Sequence, residues 1–117
     1  MMRNMVLSNY QSDARDRIAE IDRLSGDQVT VNAMMEKGIL QGKVLADGET
    51  ASATLTQALQ MPGGNAQLLN LAGVVLFADK RYEEAKMFFG KALSVATDEV
   101  LIKRVKQNQV NVEKKIK

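Results

Sequence analysis

Four apolar positions in one helical stripe recur earlier in the chain at a single fixed offset. Ala85, Phe89, Ala92 and Leu93 lie on one face of a 3.6-residue period, and subtracting 34 lands on Ala51, Leu55, Ala58 and Leu59. A fixed period of this length implies stacked units, none of which buries its apolar side alone. The later unit spans residues 65–97. It has the small residues Ala72 and Gly73 in a first helix, Tyr82 at the start of a second, and then the recurring stripe. The chain is therefore expected to be all-α and to work by contact with another protein.

The rest of the chain fits a series of short amphipathic helices. Ser12 and Asp13 are good N-cap residues, and Ala14, Ile18, Ile21 and Leu24 share one face up to a stop at Gly26. Residues 1–11, with Met2, Met5 and Val6, form an N-terminal segment that can either line a helix or fray. A second helix is expected over 29–45, with Val31, Met35, Gly38, Gly42 and Leu45 in register. Each helix-interior glycine costs about 1 kcal/mol relative to alanine, so a close neighbouring helix is expected at Gly38 and Gly42. Asp47 and Gly48 read as a turn, and a third helix covers 49–60. MPGG at 61–64 is the strongest break in the chain. Asn65 caps a fourth helix to residue 78, buried through Leu69, Ala72, Gly73 and Leu76. Residues 79–81 turn, and a fifth helix covers 82–96. Thr97 and Asp98 cap a sixth, whose apolar face of Leu101, Val105, Val112 and Ile116 is interrupted by Asn108.

Composition narrows the chemistry. The chain has no cysteine and no histidine, which removes thiol catalysis, disulfides and the commonest metal ligands and acid–base group. Its carboxylates are scattered. Asp13, Asp16 and Glu20 share a helix side but alternate with Arg15, Arg17 and Arg23, the pattern of surface ion pairing. Gly63–Gly64–Asn65 opens a helix but lacks the lysine spacing and preceding strand of a phosphate loop. No catalytic site, metal or cofactor is expected. The start of the chain has too short an apolar run for a signal peptide, and no segment reaches the length of a membrane span. The cytoplasm is the expected location. Residues 98–117 carry six Lys/Arg against three acids, a basic end on a chain of net charge +2.

Residues 66–97 resemble a tetratricopeptide repeat. That family's bulky residue, small pair, turn aromatic and Ala–aromatic–Ala series fall on Leu69, Ala72–Gly73, Tyr82, Ala85, Phe89 and Ala92, with Glu83–Glu84 also fitting. Leu69 replaces the usual Trp and Thr97 the inter-repeat Pro. Residues 32–63 match through their second helix, but Gly48 stands where the turn aromatic belongs and Gly38–Ile39 where two small residues belong. The resemblance implies a right-handed α-solenoid of about two repeats, near 30–63 and 64–97. A first helix and a capping helix over 98–117 would close its ends, in one domain over 12–117.

It also implies a concave groove lined by first helices. Its residues would be Ala33, Glu36, Leu40 and Lys43, then Gln67, Asn70, Val74 and Phe77, then Leu101, Arg104 and Asn108. Val74 and Phe77 widen the apolar stripe of their helix beyond one contact face, and either form a hydrophobic seat or let Phe77 tuck under the next helix. The family's carboxylate clamp for acidic tails is incomplete here: Arg104 and Asn108 fit its spacing, but Glu36 and Leu40 occupy the earlier positions. The implied function is that of a non-enzymatic adaptor or chaperone holding an amphipathic helix or extended peptide of another protein. In size it is similar to the small chaperones of bacterial secretion and pilus systems. A self-assembling structural subunit, a homo-oligomer, is the alternative. Nucleic acid or an anionic membrane at the basic last helix ranks behind both, since no aromatic stacking residue accompanies its lysines.

Overall fold

A computed structural model describes residues 2–116, with side chains from Tyr10 onward. Six α-helices and no strand occur among the described residues: α1 (Met2–Asp22), α2 (Val31–Ile39), α3 (Gly48–Leu59), α4 (Ala66–Ala78), α5 (Tyr82–Val95) and α6 (Glu99–Ile116). A short 3-10 turn, Gly26–Gln28, follows α1, and α2 runs on into a π-helical segment, Leu40–Val44. The all-α expectation holds, and α3 to α6 lie within a residue or so of their expected bounds. α1 does not: it begins at Met2, so Ser12 and Asp13 sit inside it and cap nothing, and it ends four residues before Gly26. Whether Met2, Met5 and Val6 line a helix face lies outside the described side chains.

The caps that do form come from residues the chain places at helix starts. Thr30 accepts from the Ala33 N–H at 3.1 Å, Asp47 from Thr50 at 3.2 Å, and Asn65 from Gln67 and Leu68 at 2.9 and 3.1 Å. Asp47 and Gly48 are thus a cap and a first helical residue. At the other end of α3, Pro62 halts the helix and leaves carbonyls without partners. Lys91 of α5 reaches across to them, its Nζ donating to Leu59 O at 2.7 Å and Met61 O at 3.3 Å.

Packing follows the period of the sequence. α2 lies against α3 and α4 against α5, each pair joined by a tight turn. The two turns share one conformation. Leu45, Ala46 and Asp47 have φ of −88°, 55° and −107°; Asp79, Lys80 and Arg81, each one period further on, have −89°, 61° and −95°. Ala46 and Lys80 are non-glycine residues in the left-handed region, which costs roughly 1–2 kcal/mol each. Repetition of that cost at equivalent positions marks a geometry the helix pairs impose. α2 and α4 run side by side in the same direction: at their starts the Asn65 N–H donates to Asn32 Oδ1 at 2.8 Å, and toward their ends Gly42 faces Val75. α6 packs antiparallel on α5, with Lys86 paired to Glu113 at 2.8 Å. α1 covers α2 and the π segment.

The core is continuous through these contacts. Met35, Leu55, Leu69, Leu76, Phe88, Phe89, Val105 and Val112 are fully buried. The expected stripes on α3, α4 and α5 all point inward. Phe88 and Val75 are buried although one-face periodicity does not select them, because α5 is flanked by α4, α6 and α3, and α4 by α2, α5 and α6. The expected crowding at glycine is present. A Cβ on Gly38 would meet Leu55 at 2.5 Å and one on Gly73 the Phe89 ring at 2.5 Å, whereas one on Gly90 would meet nothing within 4 Å.

Two opposite outcomes follow for glycine substitution. Gly73→Ala should destabilise the protein by about 1–3 kcal/mol through overpacking against Phe89. Gly90→Ala should stabilise it by up to about 1 kcal/mol through helix propensity. Urea denaturation of both variants checks this; a neutral Gly73→Ala would contradict the close approach.

Candidate functional site

The face formed by first helices α2 and α4 carries most of the residues expected to bind a partner. They do not form one open surface. Glu36, half-buried on α2, is held from both oxygens by Arg17 of α1: Nε to Oε1 at 2.7 Å and Nη2 to Oε2 at 3.0 Å. Arg17 also donates to Glu20 at 3.0 Å, and Lys37 donates to Asp22 at 2.6 Å. Hydrogen bonds from Arg17 hold the Glu36 carboxyl below its ordinary range, against an opposing push from partial burial. α1 therefore engages the Glu36 turn of α2.

On α4, Asn70 is buried, and its Oδ1 accepts from Asn108 Nδ2 of α6 at 2.9 Å. The residue that interrupts the apolar face of α6 is thus explained: it answers a buried amide on the neighbouring helix. Phe77 is half-buried and meets Tyr82 edge-on, with ring centroids 5.4 Å apart. Between Val74, Phe77, Phe89, Asn108 and Asn111 only a narrow gap of ≈ 80 Å³ remains. Phe77 thus sits toward α6 with its ring partly covered. Leu40 is half-buried, while Gln67 and Arg104 are exposed.

What stays open is a cleft of ≈ 390 Å³ where the π segment of α2 passes the second half of α4. Lys43 and Ala46 line one side, Val74, Val75 and Ala78 the other, and Asp79 the end. Two expected residues, Lys43 and Val74, meet here. Its floor exists because Gly42 has no side chain: a Cβ there would collide with Val75. Asp79 is turned toward α3, accepting from Ser52 Oγ at 2.9 Å and from Arg81 Nε at 3.0 Å. The bond from Arg81, then that from Ser52, holds its carboxyl low. The cleft is thus apolar on α4 with one exposed cation at its rim, an arrangement suited to seating side chains. Among the described residues, no group of three or more His, Cys, Asp or Glu gathers to hold a metal ion. No helix among them is long and apolar enough to cross a membrane. Sequence reasoning did not find Ala46, Ala78 and Asp79 as cleft residues. The only signal for them was their position at the two turns that share the period.

Asn70→Ala should cost about 1–3 kcal/mol by leaving the Asn108 amide unpaired, and a double-mutant cycle with Asn108→Ala should show coupling between the two. Independent, additive losses in thermal denaturation would contradict the bond. The Glu36–Arg17 pair has a definite pH signature. A carboxyl whose folded pKa is depressed contributes stability above its unfolded value, near 4.5, and that stability is lost as pH falls through the folded value. Glu36→Gln should therefore be less stable than wild type at pH 7, with the difference closing as pH falls below the unfolded value of 4.5 and through the depressed folded one. A constant difference across the titration would contradict it.

The chain matches no family model, no curated protein and no solved structure.

Proposed function

We propose that the chain is a tetratricopeptide-like α-solenoid of two helix pairs flanked by α1 and α6, and that it works without catalysis by holding a segment of another protein. The carrying observation is the same-direction seating of α2 on α4 with an open apolar cleft between Lys43 and Val74. Supporting it are the periodic recurrence of the turns at Ala46 and Lys80 and the flat shape, 39 × 39 × 26 Å. The short dimension fits two layers of helices, each about 10–12 Å across. The occupant that suits the cleft is an amphipathic helix or extended peptide that inserts one or two apolar side chains beside Val74 and presents an acid or carbonyl to Lys43.

A photo-reactive residue at Lys43, compared with one at Val95 on the exposed side of α5, tests this in cells of the native source. A discrete adduct is expected at 43 and none of the same mass at 95. Val74→Asp should reduce the adduct at 43 about tenfold, equivalent to about 1.4 kcal/mol of binding, with the helical circular dichroism unchanged. Identical adducts at both positions, or no response to a folded Val74→Asp, would remove the cleft as the binding site.

A further inference from the structure

The face of each first helix that receives its partner is defined by the period. Met35, Gly38, Ile39 and Gly42 on α2 become Leu69, Ala72, Gly73 and Leu76 on α4, one period on. On that face Gly38 lies beneath Leu55 of α3, and Gly73 beneath Phe89 of α5. One more period gives Lys103, Lys106, Gln107 and Val110 on α6, all exposed. α6 thus presents the face that α2 and α4 offer to α3 and α5, with no helix of the described chain upon it. We propose that this seat takes a helix from a partner, and that the helix is acidic and amphipathic.

The chemistry of the seat selects that occupant. Val100, Lys103, Gln107, Val110 and Lys114 follow each other at alternating spacings of three and four, so they form one straight line along the helix, with two apolar members among polar ones. Val100 and Val110 are 63% and 47% exposed. Lys103, Lys106 and Lys114 enter none of the ion pairs among the described residues, as is true of Arg15, Arg23, Lys43 and Lys80 elsewhere in the chain, but on α6 the three share one exposed side. The lysine stems add apolar cover while their ammonium groups reach outward. Lys106 and Gln107 in place of Ala72 and Gly73 keep an incoming backbone further off than α5 is from α4, so apolar contact alone would hold it weakly. Carboxylates flanking its apolar stripe would supply the rest and set its register. A like-charged α6 from a second copy is repelled. Two valines are too little apolar surface for insertion into a bilayer.

The test is a fluorescently labelled helix-forming peptide as long as α6, with Leu on one seam and Glu beside it. Its comparisons are a Lys-for-Glu counterpart, a scramble of the same composition, phosphatidylserine vesicles and a single-stranded oligonucleotide. The acidic peptide should bind at least about tenfold more tightly than the Lys counterpart and about fivefold more tightly than the scramble. Lys103→Glu/Lys106→Glu/Lys114→Glu should weaken it at least about tenfold and Val110→Ser about threefold. Val74→Asp, in the α2–α4 cleft, should leave it unchanged, so this seat and the cleft fail or stand separately. Equal binding of the scramble, indifference to charge reversal, loss on Val74→Asp, or tighter binding of vesicles or oligonucleotide would each overturn the proposal.

Discussion

The contact of α2 on α4 is what makes one domain out of two helical hairpins. Each hairpin, α2 with α3 and α4 with α5, closes on itself through its own recurring stripe. Neither buries the side of its first helix that faces the other. That side is satisfied only when Gly42 slides under Val75 and the Asn65 N–H reaches Asn32. Both contacts occur in the same sense along the helices, so the two hairpins point the same way. α1 lies over the outer side of α2, and α6 over α5 and α4.

The π segment shows how the first hairpin meets that constraint with a different sequence. Leu45 donates to the Leu40 carbonyl, five residues back, and Asp47 donates to Gln41. The wider turn leaves Gln41 buried, where the equivalent residue of α4 is Val75. Its amide oxygen accepts from Thr54 Oγ1 at 2.6 Å, and the residue equivalent to Thr54 on α5 is Phe88. One helix pair thus has a buried hydrogen bond at a register where the other has two buried apolar residues of the common core. The polar version contributes less net stability, since a satisfied hydrogen bond is worth about 1 kcal/mol and a buried phenylalanine about 1.5–3. It is the more selective of the two, because a slipped register would strand both groups.

Legibility in the sequence tracked how local the determining interaction is. The stripes on α3, α4 and α5, the break at Pro62 and the cap at Asn65 depend on spacing within one helix or on one residue's backbone chemistry, and all were readable. The glycines at 38 and 42 were readable as close approaches because an unexplained helix glycine has a known cost. The length of α1 was not. Ser12 and Asp13 are strong caps in isolation, but a serine or aspartate inside a helix costs little when its side chain faces water, as theirs do. Phe88, Gln41 and the Lys91 bridge to α3 were hidden for another reason: each is fixed by which helix lies on a second side, and periodicity reports one side only. The surface residues divide the same way. Lys43 and Val74 line one cleft. Glu36 and Asn70 are taken up by Arg17 and Asn108, partners whose proximity depends on how the terminal helices dock.

The two ends of the row are therefore chemically unlike. α1 meets α2 with charges that find one another: Arg17 bridges Glu20 and Glu36, and Lys37 meets Asp22. Those pairs tie α1 to α2. α6 turns Val105 and Val112 inward, spends Asn108 on Asn70 and Glu113 on Lys86, and faces outward with lysines that enter no ion pair among the described residues. Exposed lysines on an end helix disfavour stacking of a like-charged copy of the same face. On the proposal for α6, the same charges that disfavour a copy of this chain would favour a helix of opposite sign.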